Sequence, residues 1–512
     1  MLQTDFIASV PTLLKRQAKL RGDKVAYTDA GGAITYAALD QTTARLAGHL
    51  QAQGAAVGSA VAVFLPNSIA WIQTCFATLR AGAVSVPISY EATEPEVAYR
   101  IEDSDCRIVV TTDERAELVR RAAGARPLIL ILVDRGAKQD GVRLADLLTQ
   151  EAEAPRDPER MHEASFIVYT SGTTGRAKGV LLSLHSMLWI TAACWGPIYG
   201  ITANDVILSP LPLFHSYALN LSVLSVLAIG ASEHLMEKFS TKDALRLLGE
   251  GRFTFMPGVP TMFHYLVQAA EPGQKLPGLR LCVSAGAIMP ATLNREFEDR
   301  FGVRLLDGYG ITETATMVTS NWPKGGRVLG SCGFPVPGLA VRIVDPATRR
   351  DVDAGAEGEL IVRGPNLMLG YHNKPAETAA ALRDGWYHTG DLARADENGF
   401  LTITGRLKEL IIRGGQNIAP AEIEEVASQF DGVADCAVIG IPHQSLGEVP
   451  IIFVAKKDGD DLKADDLLAH CRKHLSAYKV PEAVHFVADI PRTGSGKIMR
   501  FKLRDRLSQS NR

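Results

Sequence analysis

The chain has 512 residues, 46% hydrophobic and 22% charged, with 54 basic and 57 acidic side chains and a net charge of −3. That length exceeds what one hydrophobic core usually serves, so two or more domains of ordinary globular composition are expected. The near-balanced charge excludes a general attraction to nucleic acid or to an acidic membrane surface.

Residues 1–20 lack a basic region followed by an unbroken apolar stretch and a cleavage site, so they read as an amphipathic helix and not a signal peptide. Leu39, Thr43, Leu46 and Leu50 mark one helix face. Residues 60–65 form a short buried strand stopped by Pro66 and Asn67, and residues 108–111 and 128–133 predict two more. This alternation predicts α/β architecture with helices packed on sheets. The most apolar stretch, residues 219–231, is interrupted by Asn220, Ser222 and Ser225. It is too short to span a bilayer and predicts a buried helix, with no membrane span. Seven scattered cysteines, Cys75, Cys106, Cys194, Cys282, Cys332, Cys436 and Cys471, have no zinc-binding spacing. They are expected to be free thiols in a reducing compartment, which places the protein in the cytoplasm. Residues 401–404 and 409–412 read as strands with an interruption at 405–408, which sets a boundary between residues 1–405 and 406–512. The second part holds two helix patterns and strands at 436–440 and 451–455, enough for a small α+β domain, and a glycine-rich charged loop at 491–497.

The strongest local signal runs from Tyr169 to Val180, after an apolar strand at 166–169. Gly172 and Gly175 let the backbone approach a ligand. Thr170, Ser171, Thr173 and Thr174 offer hydroxyls, and Lys178 adds a cation, which together suit a phosphate group. The spacing is not the Walker pattern, in which lysine directly follows the second glycine.

This segment resembles the phosphate loop of the adenylate-forming superfamily, which includes acyl-CoA synthetases, adenylation domains and beetle luciferases. Six further signatures follow in that family's order: Pro212-Leu-Phe-His215, Ser284-Ala-Gly-Ala287, Asp307-Gly-Tyr-Gly-Ile-Thr-Glu-Thr314, Trp386-Tyr-His-Thr-Gly-Asp391, Gly405-Arg-Leu-Lys-Glu409 and Arg492-Thr-Gly-Ser-Gly-Lys497. The resemblance extends from Thr35 to Lys497. It implies a large N-terminal multilayer αβαβα domain with a small mobile α+β C-terminal domain. It also implies two half-reactions in one site: a carboxylic acid and MgATP give acyl-AMP and pyrophosphate, and coenzyme A then takes the acyl group.

The resemblance assigns roles residue by residue. Tyr309, between Gly308 and Gly310 with its ring face unshielded, stacks on adenine, and Asp307, Gly286 and Ala287 belong to the nucleotide site. Thr312 meets a phosphate, and Glu313 holds Mg2+, a hard cation that prefers oxygen ligands. Asp391, in a tight loop after Gly390, and Arg406 take the ribose hydroxyls. His215 is grouped with Thr312 and Lys497 as a catalytic position, acting as a gate and not a base, since a carboxylate is already ionised at neutral pH. Lys497 stabilises the two anions brought together at the α-phosphate. Lys408 matches the hinge, and Gly414 and Gly415 border the pantetheine tunnel after the swing.

Acid-specific side chains are expected from residues 216–223, 256–262, 285–289 and 314–318, which contain no Arg or Lys. A dicarboxylate would need a cation there. The expected acid is therefore an apolar monocarboxylate, such as a medium-chain fatty acid, with an aryl or cinnamic acid as the alternative. A carrier-protein acceptor, a luciferase-like oxygenase and a non-catalytic binding module are the other classes. The last would have lost one of Lys178, Glu313, Asp391, Arg406 and Lys497, and all five are present. The loop at 491–497 also resembles the pattern read by protein lysine acetyltransferases, so an acetyltransferase and a deacetylase acting on Lys497 are expected partners.

Overall fold

A computed structural model describes residues 2–170, 177–414, 416–457, 459–492 and 496–510, with only the backbone for 508–510. Among these residues the strands form four sheets: one of nine strands, one of eight and two of five.

The two large sheets are buried on both faces, and period-two alternation sorts their side chains. In strand Ala60–Phe64, Val61 and Val63 join the central core, while Ala62 and Phe64 pack outward beneath Val97, Ile101 and Val119. In the other sheet, Phe255, Leu281 and Val283 face the centre. Met256 and Cys282 face outward toward Phe263 and Phe297. Helices therefore lie outside, between and outside the sheets, the five-layer αβαβα arrangement. The helix Ile69–Arg80 occupies the middle layer and is buried on nearly every side, which explains its almost continuous apolar and small-residue sequence. Ser68 starts it by accepting the Trp71 amide.

The predicted strands at 60–65, 108–111 and 128–133 appear as Ala60–Phe64, Ile108–Thr112 and Ile129–Val133. The buried helix expected at 219–231 spans residues 216–229, and its middle, Leu219–Ser225, is π-helical. Carbonyls of that wider turn are taken up by Tyr27, whose hydroxyl bonds to Ser222 O and Val223 O at 3.0 and 3.2 Å. Among the described residues, no helix is long and apolar enough to cross a membrane. All seven cysteines are free and buried.

Toward the C-terminus three expectations need correction. The strand at 401–404 continues through Arg406, because Leu401–Arg406 pairs with Trp386–Ala395 and Arg406 stands opposite Asp391. The break falls instead at the turn Leu407–Glu409, and the next strand is Ile411–Arg413. A third helix, Arg500–Ser510, joins the two expected ones, Pro420–Ser428 and Ala464–His474. Its charged sequence hides a narrow apolar edge, Leu503 and Leu507, that covers Ala437, Ile439 and Ile451.

Candidate active site

Parallel strands Phe255–Gly258, Leu281–Ser284 and Arg304–Tyr309 lie side by side, with Gly258, Ser284 and Asp307 in register. The segments after them therefore leave together from the carboxyl edge, where open α/β sheets bind ligands. Gly286 and Ala287 form the half-buried loop beyond Ser284, and Gly286 has φ +88°. Within the register pair, Ser284 Oγ and Asp307 Oδ1 are buried and lack hydrogen-bond partners among the described residues. Burial pushes the Asp307 carboxyl well above the usual carboxylate range, only partly opposed by the Gly308 amide. A carboxyl shifted toward its protonated form and an unpartnered hydroxyl at a strand end suit a polar ligand edge.

Tyr309 is held by its hydroxyl, which donates to Asp391 Oδ2 at 2.5 Å, while Arg406 Nε meets Asp391 Oδ1 at 2.9 Å. The expected tight loop before Asp391 is instead part of strand Trp386–Ala395. There, Gly390 at φ +69° accompanies a register shift that re-aims the buried carboxylate. The glycines beside Tyr309 also serve packing. A Cβ on Gly308 would lie 2.3 Å from Met317 Cε, and one on Gly310 would lie 1.2 Å from Thr316 O. They permit tight backbone packing. Gly310→Ala is expected to cost more than the about 1–3 kcal/mol of ordinary overpacking. An unchanged thermal midpoint would contradict this.

Strands Ala164–Thr170 and Lys178–Ser183, on either side of the segment read as a phosphate loop, pair antiparallel with Thr170 opposite Lys178. Ser171, Gly172, Thr173 and Thr174 lie outside the described residues, as does Gly415. Lys178 Nζ pairs with Glu377 at 2.5 Å and sits 4.9 Å from the Tyr371 ring centroid. The Tyr371 hydroxyl donates to Glu313 Oε1 at 3.1 Å. One aromatic side chain thus joins the cation after the phosphate loop to the carboxylate of the Thr-Glu pair. Thr312 is buried, its hydroxyl 3.1 Å from Ser216 Oγ, which places His215 and Thr312 on adjoining segments.

The last part of the chain completes this group. Lys497 is coupled electrostatically to Arg406, Glu313, Asp391 and Lys408. Burial and then Arg406 push its ammonium below the ordinary lysine range, while Glu313 and Asp391 oppose that. His215 is lowered to about 3 by burial and then by Lys497, so its imidazole is neutral at pH 7. Its Nδ1 accepts the Tyr217 amide at 3.3 Å. Gly496 places the loop against the large part of the chain: a Cβ there would lie 3.1 Å from Val259 Cγ2. Lys408 belongs to the turn Leu407–Glu409, and burial followed by Arg406 lowers its ammonium. Gly414 is a turn residue directly after strand Ile411–Arg413, its amide bonded to Leu446 O at 2.7 Å.

Beyond His215 stands an aromatic wall. The Tyr217 hydroxyl donates to Val283 O at 3.1 Å, and the Trp195 ring stacks on Tyr217 at 6.0 Å and 11°. Trp195 Nε1 donates to Asn220 Oδ1 at 2.7 Å, and Asn220 Nδ2 reaches Met187 O and Ala315 O at 2.8 and 3.2 Å. Both Trp195 and Asn220 sit in π-helical turns, a local geometry frequent at functional sites.

Sequence reasoning missed Tyr371, Glu377 and Arg492. Arg492 donates to Gly496 O at 2.9 Å and pairs with Asp435 at 2.8 Å, bracing the loop that carries Lys497. Only Arg492 had a local signal, being the first residue of the last signature. The other two act through contacts between distant segments.

Comparison with known proteins agrees with this geometry. Residues 14–372 match the AMP-binding enzyme family, and residues 422–497 match the AMP-binding enzyme C-terminal domain. A feruloyl-CoA synthase of Amycolatopsis sp. is 36% identical over 497 residues, covering 96% of this chain and 97% of its own length. A long-chain-fatty-acid–CoA ligase of Bacillus subtilis is 31% identical over 527 residues, covering 97% and 94%. The crystal structure of ATP-bound MatB from Rhodopseudomonas palustris superposes with TM-score 0.90 at 33% identity, covering 97% of this chain and 98% of that one. Likeness of this extent, in sequence and in fold, leaves one assignment: the chain belongs to the AMP-binding enzyme family of the adenylate-forming superfamily and is an acyl-CoA synthetase, an AMP-forming acid:CoA ligase.

Proposed function

We propose that this enzyme activates a monocarboxylic acid with an uncharged, apolar tail, with the first half-reaction carried out in the arrangement described above. The single observation that carries the reading is the convergence of Lys497 with Arg406, Glu313 and Asp391, since it brings a C-terminal cation to the nucleotide residues. In this reading Tyr309 stacks on adenine, Asp307 with Gly286 and Ala287 receives the adenine edge, and Asp391 and Arg406 take the ribose. Thr312, Lys178 and the phosphate loop hold the phosphates. Lys497 meets the α-phosphate and the acid's carboxylate as they approach, where a fixed cation stabilises the transition state. The neutral imidazole of His215 separates the acid pocket from the thiol entry. Glu313, half-buried and bonded by Tyr371, fits Mg2+, which binds through one or two carboxylates plus substrate phosphates.

The same reading divides the chain at residues 405 and 406. The smaller part turns about Lys408 for the second half-reaction, and Gly414 and Gly415 then line the path of coenzyme A. A carrier-protein acceptor is the alternative to the free thiol. The enzyme works in the cytoplasm. An acetyltransferase reaches Lys497 when its loop is outside the site, and a deacetylase restores it.

Sequence composition put a medium-chain fatty acid first and an aryl acid second. The aromatic wall favours the second. The Tyr217 hydroxyl and Trp195 Nε1 are each held by a hydrogen bond, and Asn220 is bonded through both its amide oxygen and its amide nitrogen, so the ring pair is rigid, which suits stacking with a ring. The higher identity to a feruloyl-CoA synthase than to a fatty-acid ligase points the same way. Pyrophosphate release is to be compared for benzoate, ferulate, hexanoate, octanoate and malonate, with thioester formation read in parallel. An aryl acid is expected to lead and malonate to be poorest. Malonate as the best substrate would overturn the uncharged-pocket reading, and a preference for octanoate would return the assignment to fatty acids.

A further inference from the structure

Lys178 is the first residue of the strand Lys178–Ser183, and it already has a carboxylate partner. Glu377, on the helix Pro375–Ala381, meets its ammonium at 2.5 Å, and a second cation, Lys374, lies 3.4 Å from the other Glu377 oxygen. The helix is tied to the phosphate-loop strand through main-chain pairing. Strand Gly370–Tyr371 runs antiparallel to Lys178–Ser183, and the Tyr371 amide donates to Thr378 Oγ1 at 2.8 Å. The Tyr371 ring lies beneath the Lys178 ammonium, and its hydroxyl end binds Glu313. Lys178 therefore rests between a carboxylate on one side and, across an aromatic face, the carboxylate of the Thr-Glu pair on the other.

We propose that Glu377 is a resting counter-ion for Lys178: the lysine leaves it for the polyphosphate when MgATP binds and returns to it as pyrophosphate departs. This rests on the reading that Lys178 meets the phosphates. Three features support exchange over permanent pairing. Both side chains are partly exposed, at 29% and 39%, so solvent screens the pair and separation costs little. Lys374 stays beside Glu377, so its carboxylate keeps a cation when Lys178 moves. The Tyr371 face offers the ammonium a favourable path, since a ring attracts a cation along its surface. A polyphosphate carries more charge than one carboxylate and wins Lys178 when present. Glu377 recaptures the lysine as a product-release aid.

The sign of the effect separates this from a simple positioning role. Glu377→Gln removes the competitor and keeps the shape. It is expected to bind magnesium pyrophosphate about two- to fivefold more tightly in calorimetry, the scale of an exposed ion pair. Pyrophosphate should become a correspondingly stronger product inhibitor. Binding that is unchanged or weaker would overturn the proposal, the weaker case meaning that Glu377 holds Lys178 in its working position. Lys178→Met in the same titration tests the underlying reading. It is expected to weaken pyrophosphate binding, and no change there would show that Lys178 does not meet phosphate, whatever the Glu377 variant does.

Discussion

Lys497→Ala is expected to slow adenylation about a hundredfold or more, the scale seen when one transition-state donor is removed. Thioester formation from pre-made acyl-AMP should fall far less. The effect is electrostatic. In the proposed reaction the acid's carboxylate and the α-phosphate repel as they approach, and the Lys497 ammonium meets them beside Arg406, Glu313 and Asp391. Burial strengthens each of those interactions, so the loss cannot be made up by solvent cations. Acetylation of the same nitrogen removes the same charge and should reproduce the alanine phenotype, reversed by a deacetylase. Rapid-quench measurement of each half-reaction, with mass mapping of Lys497, decides both points. Equal loss in the two half-reactions would make Lys497 a structural residue, and acetylation without loss of adenylation would remove it as a control point.

Glu233→Gln is expected to stabilise the protein by about 3 kcal/mol at pH 7. Glu233 lies in strand Ser232–Leu235, beside Tyr27 and Ile207 in the register, and is 1% exposed. Neither of its oxygens has a hydrogen-bond partner among the described residues. The Ser209 and Ser222 hydroxyls are near enough to ease its charge but bond to each other at 2.9 Å. Burial lifts its carboxyl from 4.5 to about 8. The folded chain thus keeps a proton that the unfolded chain has released at neutral pH. Stability from this site is full below about pH 4.5 and is lost as pH rises through about 8. Glutamine keeps the shape with no charge to bury, so its advantage should grow from near zero at pH 4.5 to its maximum above pH 8. Thermal midpoints of both proteins across that range test this. A glutamine variant that is less stable at pH 7, or that keeps the alkaline decline, would refute it.

The contrast between these two residues shows what kind of information a sequence carries. Lys497 stands in a local pattern, Gly-Ser-Gly-Lys, and a reader of the chain alone can suspect it. Glu233 stands in Ala-Ser-Glu-His-Leu, which reads as a polar strand edge. Its burial comes from Tyr27 and the 216–229 helix, residues far away along the chain. Tyr371 and Glu377 are hidden in the same way. The Gly-Tyr-His-Asn-Lys-Pro stretch has no chemistry of its own until it folds back on the phosphate-loop strand.

Sequence by itself determined the strand and helix alternation, the buried strands, the order of the seven signatures and, through them, the family and its chemistry. These follow from short-range rules: side-chain periodicity, glycine where backbone must come close, and charge where phosphate must be held. Tertiary structure decided the rest. It showed that Gly308 and Gly310 serve packing against Met317 and Thr316, that Asp391 is aimed by a bulge within a strand, and that Trp195 and Tyr217 form a stacked, buried pair of rings. It also placed a charge-free carboxyl in the core and a counter-ion beside Lys178. The physical reason is common to all five. Packing, desolvation and ion pairing depend on which atoms are a few ångströms away; for the glycines those atoms come from the turn six to nine residues on, and for the rest mostly from segments tens to hundreds of residues apart.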